Sequence, residues 1–111
     1  MISGAHVMIF TADEAADRAF LRDVLEIPSI DSGGGWLIFR LPPAELGVHS
    51  GDNGFHQIYF ICDDVEAFIA SMQRKGVETA PISEESWGRS TGVTLPGGGI
   101  LGVYEATHAR P

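Results

Sequence analysis

A chain of 111 residues, 44% of them hydrophobic, is long enough to bury one core, and nothing in it demands a second domain. Its 15 acidic residues against 7 basic ones give a formal charge of −8, which repels phosphate backbones and anionic lipids and so disfavours nucleic-acid and membrane binding. With a single cysteine, no signal-peptide pattern and no apolar run near the roughly 20 residues that span a bilayer, a cytoplasmic protein without an intrachain disulfide is expected.

The first half of the chain predicts one helix among strands. Residues 2–11 are rich in β-formers and predict a strand. Apolar residues at helical spacing predict a helix over 14–25. A glycine-rich loop over 31–35 leads to two further predicted strands, 36–41 and 44–49. The order is therefore strand, helix and then more strands.

The second half repeats this order. Residues 55–62 predict a strand, followed by a helix whose apolar residues share one face, namely Val65, Phe68, Ile69 and Met72. Three more strands are predicted over 79–82, 90–95 and 100–105. The turn between the last two lacks the pattern of a phosphate-binding loop and indicates a hairpin.

The two halves also correspond residue by residue. A shift of fifty residues aligns His6 with His56, Met8 with Ile58, Phe10 with Phe60 and Asp13 with Asp63. Matching order of elements indicates an internal repeat. We therefore predict a single α+β domain over 1–111, built from two tandem βαβββ modules, about 1–50 and about 55–107, with helices on one face of curved sheets.

Four segments carry a resemblance to a known superfamily: 5–10 (AHVMIF), 20–25 (FLRDVL), 56–65 (HQIYFICDDV) and 95–101 (LPGGGIL). Their order and spacing resemble those of the vicinal oxygen chelate superfamily, which includes glyoxalases, bleomycin-resistance proteins and extradiol dioxygenases. The resemblance covers nearly the whole chain. It implies that the two modules form a cupped sheet with the helices outside.

The resemblance also implies a site. In this superfamily a divalent metal, such as Fe²⁺, Zn²⁺, Ni²⁺ or Mn²⁺, binds side chains from the strands of both modules, and the substrate chelates it through two neighbouring oxygens. His6, Glu45 and His56 fall at the first three ligand positions, and Gly102 falls at the fourth. Two histidines and one carboxylate suit iron(II) or zinc with open positions. No organic cofactor and no catalytic residue is predicted.

Nearby residues leave alternatives open. His49 could serve as a ligand or a base, although Glu45 is favoured over it and a histidine near solvent is the simpler interpretation. Alternation turns Glu105 away from the face of Gly102, which indicates a surface residue. Tyr104 shares the Gly102 face, where a packed aromatic ring is the simplest interpretation. His6 and His56 are themselves compatible with hydrogen-bonded core histidines.

Two functions of different classes follow, and the sequence leaves the choice between them open. The first is a small metal-dependent enzyme, glyoxalase-like or dioxygenase-like, that acts on a substrate with adjacent oxygens. The alternative is a metal-free binding protein of the bleomycin-resistance type that sequesters a small molecule. A third possibility is a dimerising module with a vestigial cup. A homodimer is expected in each case. Two residues, Trp36 and Trp87, are candidates for pocket lining, although packing in the core or in the dimer interface is the simpler interpretation.

Overall fold

The structure, a computed structural model, describes residues 6–45, 47, 50 and 57–109. Within these ranges, helix α1 (Glu14–Ala19) continues into a π-helical turn (Phe20–Val24), and the second helix is α2 (Val65–Arg74). The strands are β1 (Ser29–Asp31), β2 (Leu37–Phe39), β3 (Tyr59–Cys62), β4 (Ser83–Glu85), β5 (Gly88–Thr94) and β6 (Ile100–Ala106). Neither helix of this part of the chain is long and apolar enough to cross a membrane.

The second half forms a complete βαβββ unit. Its four strands lie in the order β3-β6-β5-β4, with β3 parallel to β6 and the other neighbours antiparallel. Asp64 begins α2 by accepting hydrogen bonds from the backbone N–H groups of Glu66 and Ala67, which have no partner inside the helix. The open curved sheet and the two helices confirm the predicted α+β class.

The first half is less regular than predicted. Asp13 caps α1, and β1 pairs with β2 across a turn whose three glycines, at positions 33–35, all adopt positive φ angles, a region that glycine reaches without strain. Strand β1 was not predicted. The strand predicted over 2–11 is wrong for its described part, because residues 6–11 pair with no other strand in the described ranges.

Two other predicted strands differ from the structure. Ala44, Glu45 and Gly47 belong to no strand, and the rest of the segment predicted over 44–49, apart from these residues, lies outside the described residues. In the second half, the segment 79–82 makes only a single bridge, between Thr79 and Val93. Pro81 has no N–H to donate to a strand ladder, which explains why β4 begins two residues later.

The core lies mainly between α2 and the long strands β5 and β6. Among the described residues, the buried hydrophobic side chains are Phe20, Val65, Met72, Val93, Leu95, Leu101 and Val103. Burial of a large side chain of this kind contributes roughly 1.5–3 kcal/mol. Phe20 comes from the π-helical turn of the first half and belongs to the same core cluster as Met72, Val93, Leu95 and Leu101 of the second. Lys75 also donates a hydrogen bond to the Val24 carbonyl, so the first helix is fastened to the second.

Candidate functional site

A cavity of about 440 Å³ lies in the first half. Segment 6–11, α1, the π-helical turn, β2 and the beginning of β3 form its walls. Most of the lining side chains are apolar, and they include Val7, Met8, Ile9, Phe10, Leu21, Ile27, Trp36, Leu37, Ile38, Phe39, Leu41, Ile58 and Phe60. A volume of a few hundred Å³ with apolar walls and few polar groups is typical of small-molecule sites. We refer to this space as the first-half cavity.

The cavity is open to solvent, and several of its apolar side chains are more exposed than they would be in a closed core. Met8 is 49% exposed and Trp36 is 42% exposed. The Arg18 guanidinium carbon lies 4.7 Å from the centre of the Trp36 ring, at cation–π distance, and Arg18 also pairs with Glu14, with 3.4 Å between Nη2 and Oε2. Trp36 therefore lines the pocket, in agreement with the functional interpretation of this residue.

Asp17 is the one buried acidic side chain in the described part of the cavity wall. Its side chain is almost wholly buried, and Oδ1 accepts a hydrogen bond of 2.7 Å from the backbone N–H of Gly97 in the β5–β6 turn. Its Oδ2 has no partner among the described residues. Sequence reasoning missed Asp17, because a single acid one turn into a helix carries no signal that distinguishes it from a solvated residue.

The predicted metal ligands are only partly within the described residues. His6 is exposed and lies in the wall of the first-half cavity, whereas Glu45, also exposed, is not part of that wall. His56 and the alternative ligand His49 lie outside the described residues. Across the described ranges no three histidine, cysteine or acidic side chains are grouped as a metal site would require. The ligand set His6, Glu45 and His56 therefore stays a prediction.

The fourth ligand position is closed by packing. Gly102 pairs with Tyr59 across β3 and β6, and the Tyr59 ring lies over the glycine. A Cβ at position 102 would lie 3.1 Å from Cγ of Tyr59 and would overlap the neighbouring ring carbons. A ligand side chain does not fit there unless Tyr59 moves. The residues present therefore do not fit a four-ligand metal centre.

An aromatic cluster covers the sheet around Gly102. Tyr59, Trp87 and Tyr104 contact each other edge to face, with ring centres 4.9–5.7 Å apart. The Tyr104 hydroxyl lies 2.9 Å from Nε2 of His108. This geometry confirms the prediction that Tyr104 is a packed aromatic ring. Trp87 also packs in this cluster, as the simpler interpretation had it, instead of lining the first-half cavity.

Glu105 points away from this cluster, toward α2. Its Oε1 accepts a hydrogen bond of 3.0 Å from the backbone N–H of Val65 at the beginning of the helix. The predicted orientation of Glu105, away from the Gly102 face, is correct. The prediction that Glu105 is only a surface residue is wrong, because its carboxylate accepts a hydrogen bond from a backbone N–H group that has no partner within α2. Burial and the Glu105 charge raise the pKa of the nearby Cys62 thiol, so Cys62 stays protonated at neutral pH.

The fold is similar to those of several solved structures. TnmS3, an antibiotic binding protein from Streptomyces sp. CB03234, is 19% identical over 96% of this chain and 100% of its own, with a TM-score of 0.69. A lactoylglutathione lyase from Agrobacterium tumefaciens is 18% identical over 92% and 94%, with a TM-score of 0.64. The fosfomycin resistance protein FosX from Listeria monocytogenes is 21% identical over 96% of both chains, with a TM-score of 0.62.

These neighbours define the fold class. They are an antibiotic binding protein, a lactoylglutathione lyase and a fosfomycin resistance protein, so the sequence resemblance to the vicinal oxygen chelate superfamily is confirmed at the level of the fold alone. No protein-family model and no curated protein matches the sequence. Because one fold of this kind hosts binding proteins and enzymes alike, function must be argued from the site.

Proposed function

We propose that the protein binds a small, mainly apolar molecule in the first-half cavity and that binding needs no metal. The observation that carries this proposal is the cavity itself, about 440 Å³ in volume and lined mostly by apolar side chains beside the exposed ring of Trp36. Water forms few hydrogen bonds with such walls. An apolar ligand that covers them removes apolar surface from water, which favours binding by about 25 cal/mol per Å² of buried surface. TnmS3, described as an antibiotic binding protein, is consistent with this class of function.

The closed position at Gly102 also favours a binding protein. The aromatic cluster occupies the place where the superfamily's fourth ligand would stand, and it fills that part of the sheet with packed rings. With the Tyr59 ring packed against Gly102, the chain has the fold but no room for a fourth ligand at this position. Sequestration of a small molecule needs only the cavity.

The second candidate is the metal-dependent enzyme, and one observation favours it: His6 lies in the cavity wall. A three-ligand site of His6, Glu45 and His56 would leave positions open for a substrate with two neighbouring oxygens. Elemental analysis separates the two candidates. Stoichiometric metal in the purified protein that disappears in a His6→Ala/His56→Ala double variant would establish the metal site that the enzyme requires and contradict metal-free binding as the whole function.

Binding is tested with a neutral aromatic probe, 2-naphthalenemethanol, titrated calorimetrically into protein treated with a chelator. We expect saturable one-to-one binding in the chelator. Ile38 lines the cavity, so Ile38→Trp fills part of it and is expected to weaken binding by at least about tenfold. The matched control is Ile100→Trp, because Ile100 is 80% exposed on β6 and not in the cavity wall. Equal affinity in both variants would place the probe elsewhere and contradict the proposal.

We further propose that the protein acts as a cytoplasmic homodimer. The exposed apolar side chains of segment 7–10 support self-association, since contiguous apolar surface of this kind is usually covered in a soluble protein. Light scattering at micromolar concentration is expected to give twice the mass of the chain, and a monomer there would contradict the dimer.

A further inference from the structure

Asp17 gives the first-half cavity a chemical preference that its apolar walls do not. The side chain is 95% buried, as its relative exposure is 5%, yet it belongs to the cavity wall. The backbone N–H of Gly97 is its one hydrogen-bond donor among the described residues, and that donor engages Oδ1 alone. Oδ2 has none there. The wall therefore contains a carboxylate of which one oxygen has no hydrogen-bond donor among the described residues.

A buried carboxylate in this state is costly. An ionised acid is stable away from water only when a cation or several donors compensate it, and a single neutral N–H compensates it poorly. Oδ2 itself is closed to solvent, so a partner must approach it through the cavity wall, of which Asp17 is part. An ammonium group supplies both a positive charge and three donors, and its hydrogen bonds to a carboxylate are about twice as strong as neutral ones.

The other charged groups at the cavity do not supply this partner. Arg18 is the only guanidinium in the described wall, and its side chain lies over Trp36 and pairs with Glu14, with no ion pair to Asp17. His6 also lines the cavity, but it is exposed and is not a hydrogen-bond partner of Oδ2. With Glu14 and Asp17 against Arg18, the lining is negative overall, and the whole chain carries a charge of −8. Both favour a cationic ligand over an anionic one.

A structural role for Asp17 accounts for the contact of only one carboxylate oxygen, Oδ1. Its bond to Gly97 fastens α1 to the β5–β6 turn, and the turn lies so close that a Cβ at Gly97 would meet both carboxylate oxygens and the hydroxyl of Thr11. An asparagine would make the same attachment through its carbonyl without a buried charge. The tether therefore does not account for a carboxylate at this position.

We propose that the ligand of the first-half cavity is an amine with an apolar, ring-sized body, and that the Asp17 carboxylate binds its protonated nitrogen. This inference rests on the proposed binding function and names the class of ligand for that site. Trp36 and the aliphatic walls would contact the apolar body, while Asp17 selects its charge.

The test compares three probes that share one ring system and differ in charge: 2-naphthylmethylamine, 2-naphthalenemethanol and 2-naphthoate. Each is titrated into the chelator-treated protein at neutral pH. We expect the amine to bind at least about tenfold more tightly than the alcohol, because a charge-assisted hydrogen bond replaces a neutral one. The naphthoate is expected to bind most weakly, since its carboxylate meets that of Asp17.

A pair of neutralising variants locates the preference. Asp17→Asn keeps an acceptor for the Gly97 N–H but removes the charge, so the amine should lose its advantage while the alcohol still binds. Asp23→Asn removes the same charge from an exposed residue that pairs with Arg22 outside the cavity, and the preference should remain. Thermal unfolding of both variants checks that each still folds. If Asp17→Asn does not fold, the three-probe comparison in the unmodified protein still tests the preference for an amine.

The outcomes separate this inference from the proposed function. Similar affinity for all three probes, or tightest binding of the naphthoate, overturns the amine preference and leaves small-molecule binding intact. An amine preference that survives in Asp17→Asn overturns the role of Asp17. Failure of every probe to bind overturns the proposed function and the inference with it.

Discussion

The two halves of the chain, which the sequence predicts to be repeats of one module, differ in how their apolar side chains pack. In the second half, seven-residue strands and the aromatic cluster of Tyr59, Trp87 and Tyr104 close the surface over Gly102. In the first half, the two described strands have three residues each, and a cavity with an exposed tryptophan takes the place of packed rings. The difference supports the proposal that the second half provides most of the stability while the first half binds a ligand.

The burial pattern agrees with this division. Of the buried hydrophobic side chains in the described ranges, only Phe20 comes from the first half, and it packs into the core of the second. Substitutions in the second half should therefore change the free energy of unfolding, and substitutions around the cavity should change binding first.

The largest effect on stability is expected at Gly102. A methyl group at this position overlaps the Tyr59 ring, so Gly102→Ala should lower the free energy of unfolding by about 2–3 kcal/mol, as overpacking does in a well-packed core. Urea denaturation measures it. The matched control is Gly99→Ala in the neighbouring turn, where the nearest atom would be 4.0 Å away and little loss is expected.

A double variant tests the cause. If the Tyr59 ring excludes a side chain at position 102, the double variant Tyr59→Ala/Gly102→Ala should lose less free energy of unfolding than the two single variants lose together. If the two losses in free energy of unfolding are strictly additive, the Tyr59 ring does not close the fourth ligand position. That result would contradict the contrast drawn between the two halves.

A smaller loss is expected at Glu105. Glu105→Ala leaves the Val65 N–H without its acceptor and should destabilise the protein by about 1 kcal/mol, whereas Glu105→Gln keeps an acceptor and should cost less. Chemical denaturation of both variants measures the difference. Equal losses would mean that the negative charge at the beginning of α2, rather than the hydrogen bond, provides the stabilisation.

In the first half, a gain is expected instead. Glu26 follows the π-helical turn with φ of 58°, a region that costs a non-glycine residue about 1 kcal/mol, and its exposed pair with Lys75 contributes little. Glu26→Gly should therefore raise the free energy of unfolding by about 0.5–1 kcal/mol. Glu26→Ala removes the ion pair but keeps the β-carbon, so it should give no gain. A gain with alanine would assign the effect to charge and not to the backbone.

The smallest effect concerns Cys62 in the second half. Burial, and then the Glu105 charge, raise the pKa of its thiol, so the thiolate fraction and the rate of alkylation should rise only above the ordinary cysteine pKa of about 8.5. Iodoacetamide modification followed by mass spectrometry from pH 7 to 10 measures the profile. In Glu105→Gln the midpoint should move to lower pH, because the repelling charge is gone. Rapid modification at pH 7 would contradict a protected thiol.

The sequence predicted the second half well because its signals are local and agree with each other. Asp64 caps a helix with apolar residues at helical spacing, and the 96–99 turn joins two segments that contain several β-formers. The first half was harder to predict, because residues 6–11 are β-formers whose pairing depends on partners elsewhere in the chain.

The candidate site was predictable only in part. His6 stood out through its match with His56, and the structure places His6 in the cavity wall. Asp17 did not stand out, since its importance comes from a contact with Gly97 eighty residues away. The closure at Gly102 likewise follows from a partner on another strand, Tyr59, and the register of that pair cannot be read from either segment alone.

The most direct test of the division between the halves is the position at which a small molecule binds. Chelator-treated, ¹⁵N-labelled protein is titrated with 2-naphthalenemethanol, and backbone amide shifts are followed by NMR. We predict that the largest shifts occur around the first-half cavity, at residues such as Leu21, Leu37 and Phe39, with little change at Gly102 and Tyr104. Largest shifts at the aromatic cluster, or none anywhere at millimolar probe, would contradict the account.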